Sequence, residues 1–70
     1  MRSVDQLKVH LKEHRLEAGL TQMELANLVE VSRKTINTVE NGVFVPSTIL
    51  ALRLARRLGV TVEDLFKLTE

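Results

Sequence analysis

The chain has 70 residues, ten Lys and Arg against nine Asp and Glu, a formal net charge of +1 and no cysteine. A chain this short makes one domain, so we expect residues 1–70 to form a single domain that relies on an apolar core rather than on disulfides. The lack of cysteine favours a cytoplasmic location. No apolar run approaches the roughly 20 residues that a membrane span needs. The balanced charge does not by itself indicate any class of binding partner.

The first predicted helix runs from a cap at Ser3 to Gly19. Its inward positions recur at the i, i+3 and i+4 spacing of a one-faced helix, and they are Val4, Leu7, Leu11, His14 and Ala18. His10 and His14 lie one turn apart, but two imidazoles without a nearby cysteine are too few for a metal site. No metal and no cofactor are therefore expected.

The next two predicted helices are short and have clear start signals. Thr21 and Glu24 have the spacing of a capping box at the start of the second helix. Ser32 caps the third helix, "RKTINTVE". Asn41-Gly42 ends it, because both residue types tolerate the left-handed conformation.

The turn between these two helices is very tight. Only Glu30 and Val31 separate the second helix from the cap at Ser32. Helices joined by so short a turn cross steeply, which is the helix-turn-helix arrangement. Ala26 is then the small side chain that lets the two helices approach each other.

Two further helices complete the predicted all-α fold. Ser47 caps "TILALRLARRL", and Thr61 with Asp64 opens a last short helix in "VEDLFKL". The fourth helix carries a basic stripe, which is more often a solvated face than a DNA contact; it consists of Arg53, Arg56 and Arg57. No segment alternates as a strand would, so no strand is predicted.

The third helix is predicted to have one apolar and one polar face. With successive residues about 100° apart, its polar side chains share one arc of roughly 140°; they are Arg33, Lys34, Asn37, Thr38 and Asn41. Ile36 and Val39 lie behind them with Thr35. A helix held by two apolar residues that turns donors and acceptors outward suits a reader of base edges and phosphates.

At these residues the chain resembles a known family. The stretch "GLTQMELANLVEVSRKTINTVENG" is similar to the helix-turn-helix of the phage repressor and Cro family, also called the XRE family. The matching positions are Gln22, Ala26, Val31, Ser32, Ile36 and Glu40-Asn41-Gly42. The tail "PSTILALRLARRLGVTVEDLF" also resembles the compact members. The resemblance implies a compact five-helix, lambda-repressor-like DNA-binding domain.

Three positions depart from the family pattern. Glu30 stands where the family usually has Gly, so the turn is expected to be strained. His14 stands where Leu is common, which puts a polarisable group near the core. The segment "VFV", residues 43–45, replaces a more polar loop and is expected to expose apolar surface.

The resemblance and the polar face together imply a sequence-specific transcriptional regulator, a repressor, that inserts helix three into the major groove of double-stranded DNA. Arg33 and Lys34 are expected at base edges, above all guanine, and Asn37 and Thr38 at adenine or thymine. The side chains expected to grip phosphates are Gln22, Ser32, Thr35 and Asn41. In the family, the positions of Arg15 and Glu40 form a partly buried ion pair, so the same pair is expected here.

A homodimer on an inverted-repeat operator is expected, because one short helix reads too few base pairs. Helix five offers more apolar surface than so short a helix can turn to its own core, in Val62, Leu65, Phe66 and Leu68. Residues 43–45 add more nearby, and some of this surface should be shared between subunits. The alternative is a protein-interaction module on the same fold, such as an antitoxin or a coactivator-like adaptor. An enzyme is not expected, since no catalytic set of side chains or phosphate loop is present.

Overall fold

The computed structural model describes residues 6–69 as five helices and a two-stranded sheet. In chain order the elements are β1 (Leu7–Val9), α1 (Leu11–Glu17), α2 (Gln22–Val29), α3 (Arg33–Glu40), α4 (Thr48–Leu58), α5 (Val62–Leu65) and β2 (Phe66–Leu68). The predicted five-helix architecture is confirmed, with α2 and α3 as the helix-turn-helix. None of the described helices is long and apolar enough to cross a membrane.

The prediction that the chain has no strand is wrong. β1 pairs with β2 in an antiparallel ladder in which Val9 lies opposite Phe66 and Lys8 opposite Lys67. Next to the ladder, the His10 N–H donates to the Leu65 carbonyl at 2.7 Å. Val9 and Phe66 pack against the core. This pairing joins the two ends of the described chain, so local hydrophobic spacing could not reveal it.

The first helix is accordingly shorter than predicted. It begins at Leu11 rather than after Ser3, and Leu7 belongs to β1. Ser3 and Val4 lie outside the described residues. The predicted end is correct, since α1 finishes at Glu17 and Gly19 follows with a φ of 73°.

The four other predicted helix starts are confirmed. The side-chain oxygens of the cap residues accept hydrogen bonds from backbone N–H groups three residues later, in the pairs Thr21–Glu24, Ser32–Thr35, Ser47–Leu50 and Thr61–Asp64. The pairs at Thr21 and Thr61 are full capping boxes with a reciprocal carboxylate. Such caps satisfy donors that a helix start otherwise leaves unpaired.

The core is formed by inward side chains from all five helices. The fully buried large ones are Leu11, Leu25, Val29, Ile36, Val39, Leu54 and Leu65. Ala26 is also fully buried, and α2 and α3 pack directly on each other. Ile36 and Val39 therefore pack α3 against the core, and the opposite face of α3 points outward.

The turn between α2 and α3 contains a left-handed residue that is not glycine. Glu30 has a φ of 64° and a ψ of 44°, and it is the one non-glycine residue with positive φ in the described part of the chain. In this conformation a Cβ crowds the following carbonyl, at a cost of about 1–2 kcal/mol. The strained turn that was expected from Glu30 in place of the family's usual Gly is therefore present.

Apolar side chains are exposed in the loop between α3 and α4. Val43 and Val45 are 77% and 69% exposed, and Phe44 is 48% exposed, as predicted for residues 43–45. Helix five is shorter than predicted, because Phe66 and Leu68 lie in β2 rather than in α5. Leu65 is fully buried in the core of its own chain, while Leu68 is 64% exposed. Leu65 is thus not available to a partner.

Candidate nucleic-acid interface

The candidate interface is the outward face of α3 together with the start of α2. Arg33, Lys34 and Asn41 are exposed, and Asn37 and Thr38 are half-buried. Ile36 and Val39 on the opposite face are fully buried. The helix is therefore fixed from behind, and the predicted arc of polar side chains is brought together on one surface.

Behind this surface lies a buried ion pair between α1 and α3. Arg15 Nε donates to Glu40 Oε2 at 2.6 Å, and the two side chains are only 7% and 3% exposed. A second guanidinium nitrogen, Nη1, donates to the Leu20 carbonyl at 2.8 Å. The buried charges have each other and a backbone oxygen as partners, which is the condition for holding an ion pair inside a core.

The side chain of Gln22 connects this ion pair to α3. Its Nε2 donates to Glu40 Oε1 at 2.9 Å and to Asn37 Oδ1 at 3.2 Å. A primary amide has two N–H donors, so both are used within the protein. The amide oxygen of Gln22 is thereby turned away from Glu40.

The Gln22 amide oxygen holds Arg33, the first side chain of α3 in the candidate interface. Arg33 Nη1 donates to Gln22 Oε1 at 2.8 Å. At the other end of the face, Asn41 Nδ2 lies 3.4 Å from Asn37 Oδ1. A continuous chain of hydrogen bonds therefore runs from the buried ion pair to the exposed guanidinium of Arg33.

The hydroxyl groups of α3 serve the helix itself. Ser32 Oγ accepts from the backbone N–H of Thr35 at 3.1 Å and lies 3.0 Å from Thr35 Oγ1. Thr38 Oγ1 donates to the Thr35 carbonyl at 2.9 Å. Each of these hydroxyls already makes a hydrogen bond within the protein. A contact with a phosphate or a base would be made in addition to that bond.

The start of α2 offers backbone donors beside the same surface. Its capping box engages the N–H groups of Thr21 and Glu24. The first turn of a helix has further N–H groups without intrahelical partners, which here belong to Gln22 and Met23. Because both donors of the Gln22 side chain are used, an anion at this helix start would be bound through backbone N–H groups.

The internal role of Gln22 was missed by sequence reasoning, which assigned it to a phosphate alone. The signal was present in outline. Gln22 belongs to the same family motif as Glu40, and Glu40 was expected to pair with Arg15. A glutamine placed next to a buried carboxylate donates its N–H groups to that carboxylate and presents its oxygen on the other side.

Comparison with known proteins agrees with this geometry. The sequence model of the helix-turn-helix family matches residues 11–65. An HTH-type transcriptional regulator of Methanothermobacter thermautotrophicus is 51% identical over 65 residues, which cover 91% of this chain and 94% of that protein.

Two crystal structures have the same fold. The restriction-modification controller protein C.AhdI of Aeromonas hydrophila matches with a TM-score of 0.72 and 33% identity over 77% of this chain and 82% of its own. The clp gene regulator ClgR of Corynebacterium glutamicum matches with a TM-score of 0.73 and 31% identity, over 77% of this chain and 57% of its own. The chain therefore belongs to the XRE-type helix-turn-helix family of DNA-binding transcriptional regulators.

Proposed function

We propose that this protein is a cytoplasmic repressor that binds an inverted-repeat operator as a homodimer and inserts α3 into the major groove. The observation that carries the proposal is the start of α3. This turn contains Arg33 and Lys34 and no acidic residue. The macrodipole disfavours cations at a helix N-terminus, so the pair is best explained by an anionic or acceptor-rich partner outside the protein.

The base-reading role falls to the first two turns of α3. Arg33 and Lys34 contact guanine O6 and N7, and Asn37 and Thr38 contact the next base pair. The bond from Arg33 to Gln22 supports this role, because it limits the rotamers of the guanidinium before DNA arrives. A side chain already held in place loses less entropy on binding.

The positioning role falls to groups around the edge of the same face. The N–H groups at the start of α2, with the side chains of Ser32, Thr35 and Asn41, contact flanking phosphates and set the docking angle. Gln22 contributes twice, through its backbone at the helix start and through the oxygen that holds Arg33.

The dimer places two copies of α3 about 34–36 Å apart, one turn of DNA. Its proposed interface is the exposed apolar segment 43–45 with Leu68. These side chains are 48–77% exposed, and a small protein gains by covering such a patch. A two-fold dimer matches an inverted repeat because both have the same symmetry.

The experiment is selection of bound sites from random DNA, followed by sedimentation of the protein with and without the selected duplex. The proposal predicts an inverted repeat with half-sites one turn apart, two chains per duplex and salt-sensitive binding. Recovery of no sequence preference would contradict it and would favour the protein-interaction alternative.

A further inference from the structure

The outer face of α4 has a surface that lies outside the candidate DNA interface of α2 and α3. Ile49 and Leu52 are 63% and 57% exposed. At about 100° per residue, they share one stripe with Arg53 and Arg56. Arg57 borders the stripe and is exposed as well. We call these five residues the α4 outer face.

This face carries two shallow grooves and an excess of positive charge. One shallow groove is lined by Ile49, Leu52, Arg53 and Arg56. A second is lined by the three arginines together with Leu28, Val29 and Glu30. α4 contains no acidic residue. The nearest carboxylate is that of Glu30, 3.9 Å from Arg53, and both side chains of this pair are more than half exposed. Such a pair contributes little energy.

We propose that the α4 outer face binds an acidic amphipathic helix of another protein. Leucine-like side chains of that helix would cover Ile49 and Leu52, and its carboxylates would pair with Arg53, Arg56 and Arg57. Arginine suits this role because its planar fork binds carboxylates through two parallel hydrogen bonds. In this binding mode the partner helix lies in a groove of the α4 outer face, and the charge pairs fix the position of that helix along the groove.

Charge complementarity decides among possible occupants. A second copy of this chain would bring the same arginines together across a two-fold axis, and like charges placed opposite repel. A phosphate backbone would pair with the arginines but would leave Ile49 and Leu52 without an apolar partner. A partner that carries both carboxylates and aliphatic side chains satisfies all five residues.

The test uses nitrogen-15-labelled full-length protein and a synthetic amphipathic helical peptide with leucines on one face and glutamates along its flanks. Addition of the peptide is expected to shift the amide signals of α4 and of the end of α2, and not those of α3. R53Q/R56Q should weaken the affinity by about tenfold or more, and L52S should weaken it as well. The control K67Q removes an exposed cation on β2 and should leave peptide binding unchanged.

Two matched peptides, one with glutamine for glutamate and one with serine for leucine, should each lose most of the affinity. The proposal is overturned if the glutamate peptide shifts no α4 signal, or if R53Q/R56Q binds it as the unmodified protein does. It is also overturned if the α4 outer face binds DNA or a second copy of this chain instead. That outcome would be recognised if R53Q/R56Q weakened operator binding more than K67Q does, or if L52S abolished self-association while peptide binding stayed intact.

Discussion

Gln22 Nε2 donates a hydrogen bond of 2.9 Å to Glu40 Oε1, and Glu40 is at the same time the buried partner of Arg15. The first turn of α2 is thereby tied to the last turn of α3. The opposite end of the same amide holds Arg33 at 2.8 Å. One carboxylate thus serves both the stability of the fold and the orientation of the proposed reading side chain.

Replacing Glu40 by Gln should destabilise the fold strongly. The change leaves the Arg15 guanidinium buried without its counter-charge, a loss of about 3–5 kcal/mol when burial is complete. The free energy of unfolding in urea measures this. The control is Glu17→Gln, which alters a carboxylate that is 79% exposed and should change stability by no more than about 0.5 kcal/mol. Equal effects of the two variants would contradict the assigned role of Glu40.

Replacing Glu30 by Gly should stabilise the protein. Its φ of 64° suits glycine, and the relief of strain exceeds the entropy that glycine loses on folding, for a net gain of up to about 1 kcal/mol. The lost contact with Arg53 is long and exposed. Glu30→Ala is the matched control, because it removes the same charge and keeps the Cβ. Urea midpoints that rise equally for both variants would show that backbone strain is not the cause.

The two-stranded sheet of β1 and β2, the β-ribbon, should be stabilised by reversing the charge of one of its lysines. Lys8 and Lys67 lie directly opposite each other in the ladder, and like charges in such a pair repel. Lys67→Glu should raise the free energy of unfolding by about 0.2–1 kcal/mol at low salt. The double variant K8E/K67E restores a like-charged pair and should lose that gain. No difference between the single and double variants would mean that the two side chains do not interact.

Asp64 should make the protein sensitive to acid. The pKa of its carboxyl is lowered from 3.8, first by the hydrogen bond from the backbone N–H of Thr61 and then by the Thr61 side chain. A lowered folded-state pKa contributes stability that is complete above the unfolded-state value and is lost as pH falls through the folded-state value. Unfolding free energies measured from neutral pH to below about pH 4 should therefore fall less steeply for Asp64→Asn. Parallel curves would rule out this contribution.

The starts of α2, α3, α4 and α5 and the turn between α2 and α3 were predictable because their signals are local. A cap such as Ser32 or Thr61 is recognised from the residue itself and the one three positions later, and the strain at Glu30 follows from the backbone conformation that the turn demands. The family motif further placed the Arg15 and Glu40 pair.

The pairing of β1 with β2 could not be predicted in the same way, and the role of Gln22 was indicated only by its place in the same family motif as Glu40. β1 and β2 are three residues each, too short for a period of two to be visible, and they pair across almost the whole described chain. Gln22 is similarly defined by Glu40 and Asn37, 18 and 15 residues away. Both features depend on which distant residues the packing brings together. Phe66 and Leu68 were placed in helix five for the same reason, since their strand pairing with β1 depends on that packing.

The central claim is that the first turn of α3 reads bases. The most direct measurement is the affinity of R33A, K34A and the control K67A for a set of operators that differ from the selected site by one base pair. We predict that R33A and K34A each lose discrimination at one position per half-site, about 1–3 kcal/mol, while K67A keeps the full pattern. Q22A keeps the backbone N–H groups at the start of α2 and should relax mainly the position read by Arg33, because it removes the oxygen that holds that guanidinium. Unchanged base preferences in both R33A and K34A, with an even loss of affinity across all operators, would contradict the claim.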